Sequence, residues 1–135
     1  MKFTPILYTK LQRLALMQLN RRNTMKRAYE FSLVRQKGVS KPGRFLVLSL
    51  AALPQEEQNE RTRVGLIATK RVGCAVERNR LRRRMREIIR AHAAPIEQGH
   101  YLVIIMRKSA SKVTYQELEQ DYLRCQKRII KTLAK

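Results

Sequence analysis

KRVGCAVERNRLRRRMRE, Lys70 to Glu87, is the stretch on which the reading of this chain turns. Continued to His92, it places Leu81, Met85, Ile88, Ile89 and His92 at i, i+4, i+7, i+8 and i+11. At about 100° per residue these positions share one narrow apolar stripe, which predicts a helix from Ala75 to Ala91 packed on a sheet. The opposite side carries Asn79, Arg83, Arg86 and Arg90, again at i, i+4, i+7 and i+11, with Arg78, Arg80, Arg82 and Arg84 on the flanks. Lys70 and Arg71 end the preceding segment. Between Lys70 and Arg90 stand nine bases, and only Glu77 and Glu87 oppose them.

A solvated helix face usually intersperses acids at i, i+4, since like-charge pairs at that spacing cost about 0.2–0.5 kcal/mol each. This face lacks them and uses Arg almost throughout. Guanidinium makes planar bidentate contacts to phosphate and stacks on bases, which ammonium does not. The pattern therefore predicts a nucleic-acid face. Asn79 is a neutral amide inside the run. It either reads a base edge or a 2′-hydroxyl, or holds the preceding loop by a local backbone hydrogen bond.

The rest of the chain has the same bias. Thirty Lys and Arg against ten Asp and Glu give a formal net charge of +20 and a pI near 11.1. Such a chain repels itself unless nucleic acid, an anionic membrane or an acidic protein neutralises it. Nucleic acid fits best, because phosphates supply dense charge and release counterions on binding. With no Trp and three Phe, the apolar anchors of a membrane-surface helix are missing, and no apolar run approaches a membrane span.

Length and composition, 135 residues and 44% hydrophobic, suit one domain with a proper core. Cys74 and Cys125 have neither the spacing of a redox pair nor enough company for zinc, and Cys125 lies on a helical apolar stripe. The pattern suits a reducing cytoplasm. Residues 1–23 hold five bases and no acid. They read as an organellar transit peptide or as a basic arm that orders on RNA, with Met17 and Met25 as alternative starts.

Around the central helix the elements follow from local pattern. Thr24 to Lys37 places Ala28, Phe31 and Val34 on one face of a helix closed by Gly38, and GVSKPG then reads as a turn. Phe45–Leu50, Arg63–Thr69 and Tyr101–Met106 read as strands, the last two as central ones covered on both faces. PQEEQNERT, from Pro54, is an exposed acidic loop. Thr114 and Glu117 form a capping box that opens a final helix, with Leu118, Tyr122, Cys125, Ile129 and Leu133 on its buried face. The expected fold class is α/β (α+β), a two-layer sandwich of a small central mixed sheet packed with helices.

A protein nuclease working through two metals needs clustered carboxylates, and a metal-free one wants paired His. The sequence offers neither. Glu56, Glu57 and Glu60 lie in a loop without His or Asp, Asp121 is the only Asp, and His92 and His100 are the only His. No catalytic residue and no protein-bound metal are expected.

Read as an ordered set, the central stretch resembles the signature of the bacterial ribonuclease P protein subunit. The parts are Lys70–Arg71, Val72–Gly73, Ala75–Val76, Arg78–Asn79–Arg80, Arg82–Arg83 and Arg86–Glu87. The likeness covers about residues 19 to 131. It implies a single domain over 19–135, a basic extension over 1–18, and a left-handed βαβ crossover that the usual right-handed rule would miss. It also implies a non-catalytic protein that binds one large catalytic RNA, whose own Mg2+ supports removal of the 5′ leader from precursor tRNA. Neither a membrane nor an obligate protein partner is implied.

Carried over by position, Lys70, Arg71, Arg78, Asn79, Arg80, Arg82, Arg83, Arg86 and Arg90 are the catalytic-RNA contacts. Phe31, Arg35, Phe45 and Ser49 line the leader site. Arg35 and Ser49 stand where the family often has aromatics, so leader contact is expected to lean on phosphate attraction more than on stacking. A ribosomal or general structured-RNA binder is the alternative that charge and size alone would allow.

Overall fold

The structure is a computed structural model and describes residues 24, 25 and 27–134. The basic extension over 1–18 lies outside them. Helix α1 (Ala28–Lys37) is followed by strands β1 (Val39–Pro42), β2 (Leu46–Ala52) and β3 (Arg63–Ile67). Then come α2 (Ala75–His92), β4 (His100–Met106) and α3 (Tyr115–Leu133). The strands form one sheet in the order β1-β2-β4-β3, with β1–β2 and β2–β4 antiparallel and β3–β4 parallel. It is the small mixed sheet the sequence predicts.

Alternation along the strands builds two cores. Leu46, Leu48 and Leu50 of β2 and Leu102, Ile104 and Met106 of β4 face α2 and α3, where they meet Leu81, Met85, Ile88, Ile89, Leu118, Tyr122, Cys125 and Ile129. Each such side chain contributes about 1.5–3 kcal/mol on burial. The alternate positions Ala51, Tyr101 and Val103 face the other way and pack with Val34 and Phe31 of α1. The sandwich of sheet and two helices thus carries a third element on its far side. Leu133, expected on the buried face of α3, is 46% exposed because the helix outruns the sheet.

Three local expectations need correction. The GVSKPG turn contains strand β1: Val39–Pro42 pairs with Val47–Leu50, and the reversal falls at residues 43–45. Pro42 hid it, yet proline is tolerated on an edge strand. The first helix starts at Ala28, not Thr24, because Met25 is extended and donates its N–H to Val64 O at 2.9 Å. Finally, β3 is an edge strand, and only β2 and β4 are central. Its apolar sequence reflects cover from α2 on one face and from Phe31 and Met25 on the other.

Two polar anchors fix the chain reversals. Asp121, 2% exposed on α3, accepts from Arg44 N at 3.0 Å and Phe45 N at 2.8 Å, fastening the β1–β2 turn. Arg63, at the start of β3, pairs with Glu30 of α1 at 3.3 Å, Glu57 at 2.6 Å and Glu60 at 3.2 Å. The acidic loop is therefore tied to the sheet and to α1. Arg63→Met would leave Glu30, 5% exposed, without this guanidinium. The expected cost is about 2 kcal/mol, below the range for a fully buried pair because Arg63 keeps some solvent. A urea titration with no shift in midpoint would refute this.

Charge is sorted along the strand direction. Glu56, Glu57, Glu60 and Glu97 outnumber Arg61 and Arg63 at the end where β3 and β4 begin, while Arg44, Lys70, Arg71, Arg107 and Lys108 flank the end where they finish.

Candidate nucleic-acid interface

Helix α2 follows β3 through a tight turn, with Val72 N bonded to Thr69 O at 3.0 Å and Gly73 N to Lys70 O at 3.3 Å. Val72 is 1% exposed and plugs the core, which leaves Lys70 and Arg71 exposed at the tip. Gly73 has φ +152°, and a Cβ there would collide with the Glu77 carboxylate. That carboxylate accepts from Cys74 N at 3.0 Å and so caps the helix. The Cys74 N–H bond, helped by Arg80 and Lys112, holds the Glu77 carboxyl below its usual range.

Glu117 is depressed in the same way, by Thr114 at the start of α3. For a carboxyl depressed in the fold, the stabilisation is complete above its unfolded pKa and is lost as pH falls through the lower folded value. Acid melting of the wild type should therefore steepen below the ordinary Glu range. In the double variant Glu77→Ala, Glu117→Ala that part of the Tm–pH curve should flatten. An acid limb of unchanged slope would contradict the two caps.

Along α2 the apolar stripe is buried as expected at Leu81, Met85, Ile88 and Ile89. His92 ends it differently: it is half-buried, and its Nε2 lies 2.7 Å from Glu119 Oε2, joining α2 to α3. Arg80, Arg83, Arg86 and Arg90 are exposed, as is Asn79. Arg78 is half-buried, and its Nε finds no hydrogen-bond partner among the described residues.

Arg82 and Arg84 have structural duties that periodicity could not show. Arg82 donates to Asn79 Oδ1 at 3.0 Å and to Ala68 O at 3.3 Å, just beyond β3. Arg84 donates to Val113 O at 3.1 Å, before α3. Asn79 is exposed, and its amide oxygen orients Arg82 across the helix surface.

On the other face of the sheet Phe31 of α1 lies over Gly65 of β3. A Cβ on Gly65 would come within 2.7 Å of the Phe31 ring, so only glycine admits this contact. Ser49 shares that face of the sheet but is 7% exposed, its Oγ bonded to Ser40 Oγ at 2.7 Å. Arg35 is exposed on α1. Val47 and Ile105 are partners in register on this face, and Ile105 is 37% exposed, an apolar strip that sequence pattern did not single out.

Phe45 is placed elsewhere. It packs on the α2–α3 side of the sheet with Arg44 over its ring at 5.5 Å, away from Phe31. Its position just before β2, in a bend, breaks the alternation that would have aimed it at α1.

At the β3 edge the two surfaces meet. A cleft of about 150 Å3 is lined by Thr24, Met25 and Phe31 on one side and by Arg82 and Arg86 on the other, with Gly65 between. Among the described residues no three His, Cys, Asp or Glu gather as a metal site. A cationic helix and an aromatic on a sheet face thus meet along one cleft. The ribonuclease P family model matches residues 19–130. The chain belongs to the ribonuclease P protein family.

Individual ribonuclease P proteins agree. The protein component from Bacillus mycoides is 36% identical over 111 residues, which are 82% of this chain and 93% of that one. The component from Syntrophomonas wolfei is 29% identical over 110 residues, 82% and 89% of the two chains. The solved Staphylococcus aureus RNase P protein superposes with a TM-score of 0.69 at 25% identity, covering 78% of this chain and 93% of that one. The Thermotoga maritima protein gives 0.67 at 26% identity, covering 78% and 96%. The chain is thus a protein subunit of ribonuclease P, the endoribonuclease of tRNA processing, and an RNA is its partner in the holoenzyme. The general RNA-binding alternative is not favoured. No helix among the described residues is long and apolar enough to cross a membrane.

Proposed function

We propose that the α2 face docks on the catalytic RNA while the cleft and the α1 side of the sheet guide the 5′ leader of precursor tRNA. The observation that carries this is the shared cleft: Phe31 and the α2 guanidinium groups Arg82 and Arg86 line one space. A strand lying there would stack on the ring and place its phosphates against Arg86 and against Arg82, which Asn79 and the Ala68 carbonyl already hold in position. Lys70, Arg71, Arg80, Arg83, Arg86 and Arg90 supply the RNA face, with Arg78 flanking it. Asn79 acts through Arg82.

On the leader side Phe31 is the aromatic, Arg35 a phosphate contact, and Val47 with Ile105 an apolar floor. Ser49 shapes that floor from beneath through its bond to Ser40, and Phe45 takes no part. The magnesium that supports hydrolysis is assigned to the RNA, as membership of the ribonuclease P protein family implies. The protein's share is binding and orientation, which suffices to lower the magnesium requirement by neutralising phosphates. In this reading residues 19–135 form one domain, 1–18 are an extension to it, and the particle works in the cytoplasm.

The test is cleavage of a precursor tRNA by a bacterial ribonuclease P RNA at low magnesium. The full chain should restore correct 5′ cleavage and be inert without the RNA. Gly65→Ala, which pushes Phe31 off the sheet, should raise KM for substrates with long leaders while leaving leaderless product binding unchanged. Binding of the RNA with no gain in cleavage would overturn the assignment.

A further inference from the structure

A second cationic surface lies at the opposite edge of the sheet from the cleft. After Asp121, helix α3 carries Arg124, Lys127, Arg128 and Lys131 and no acid to its end. Cations near a helix C-terminus are often only a response to its dipole, an effect confined to the last turn. That account is too small here, because the cations begin more than two turns earlier and other elements add to them.

The β1–β2 turn organises this surface. Arg128 Nη1 donates to Pro42 O at 3.2 Å, and Arg107 Nη1 donates to Gly43 O at 2.8 Å. Arg44, from the same turn, is exposed and lies over Phe45. A hollow of about 330 Å3 is lined by Arg44, Arg124, Lys127 and Arg128, by Pro42 and Gly43 of the turn, and by Asp121 and Cys125 of α3. Asp121 offsets only part of this charge: its carboxylate is 2% exposed, accepts from the Arg44 and Phe45 N–H groups and lies 3.7 Å from Arg124, one negative charge among four positive ones. A guanidinium has five N–H donors, so Arg107 and Arg128 keep donors for another acceptor after gripping the turn.

We propose that this surface binds the phosphate backbone of a second segment of the catalytic RNA, so that the protein bridges two parts of that molecule. The inference rests on the reading of α2 as the first RNA-docking face. Helices α2 and α3 lie side by side on one face of the sheet, joined through His92 and Glu119, so an RNA body seated on α2 extends naturally over α3. The α2 cleft sits at the β3 edge and the new surface at the β1 edge, about 14 Å of sheet apart, at roughly 4.8 Å per strand spacing. They therefore meet different nucleotides. A surface made of cations positions a backbone and does not read sequence.

The experiment compares the full-length wild type with Arg124→Gln, Lys127→Gln and, in parallel, with Arg80→Gln, Arg83→Gln, all bound to a bacterial ribonuclease P RNA. Hydroxyl-radical footprinting and the salt dependence of affinity are read for each. The α3 variant should lose protection at backbone positions that the α2 variant still protects. Its log–log salt slope should fall by about 1.4–1.8, at 0.7–0.9 per phosphate contact. Lys127→Gln, Lys131→Gln leaves the Arg124–Asp121 pair intact and should lose the same protections, separating charge loss from any disturbance of the turn.

A wild-type slope and footprint in both α3 variants would overturn the proposal. So would loss of protection only on precursor tRNA, or retained RNA binding with lost binding of an acidic protein. If the α2 variant also bound like wild type, the underlying reading of α2 would fail with it. If only the α3 variants did so, the bridge alone would fall.

Discussion

Arg80→Ala, Arg83→Ala, Arg86→Ala should weaken binding to a bacterial ribonuclease P RNA roughly a thousandfold, at about 1.5 kcal/mol for each charge-assisted hydrogen bond to the RNA. All three side chains are exposed, so the loss should be one of binding with the fold intact. Arg82 and Arg84 are deliberately spared because they hold Ala68 and Val113 carbonyls. The salt slope should fall by about 2.1–2.7 for three phosphate contacts. Equilibrium binding at several salt concentrations, with circular dichroism to confirm the fold, checks both numbers. A thousandfold loss with an unchanged slope would mean that these groups do not meet phosphate.

Asp121→Ala is expected to have the largest effect on stability. It strips the carboxylate from two backbone N–H groups and from Arg124 in a place almost closed to water. Leaving buried donors unmade costs about 1–3 kcal/mol, and the loss of charge-assisted bonds places the expectation at the upper end, about 3 kcal/mol. Tm should drop by about 10 °C for a domain of this size. The variant should melt with near-normal cooperativity, since the main core does not depend on the turn. Gly43 offers a cross-check: a Cβ there would lie 2.5 Å from Asp121 Oδ2, so Gly43→Ala should destabilise the same turn. A melting curve for Asp121→Ala that overlays the wild type would refute the role.

Elements with strong periodicity were the legible part of this fold. Helix α2 ends at His92 where the stripe predicted Ala91, and the Thr114–Glu117 box opens α3 as read, with Glu117 N bonded to Thr114 Oγ1 at 3.2 Å. Strand β1 was not legible, because four residues ending in proline resemble a turn until β2 is there to pair with them. The edge position of β3 was hidden for a different reason. An apolar run reports cover on its faces, not the number of its neighbours.

Within the interface, pattern located the cationic side of α2 but could not divide its arginines into those facing solvent and those gripping carbonyls. That division depends on where Ala68 and Val113 arrive in space. Nor could pattern show that Phe31 reaches β3 only because residue 65 lacks a side chain, or that Phe45 turns toward α3. The surface at the β1 edge is assembled from β1–β2, β4 and α3, so no single window of sequence displays it.

The sorting of charge along the strands has a consequence before any contact is made. Acid gathered where β3 and β4 begin, and base where they end, give the molecule an electric dipole in addition to its large net charge. A polyanion's field exerts a torque on such a body and turns its basic end forward during diffusion. Productive encounters are thereby enriched over random collisions. Reversing Glu56, Glu57 and Glu60 to Lys would raise the net charge while shrinking the dipole, so association would become less selective in orientation even as attraction grew.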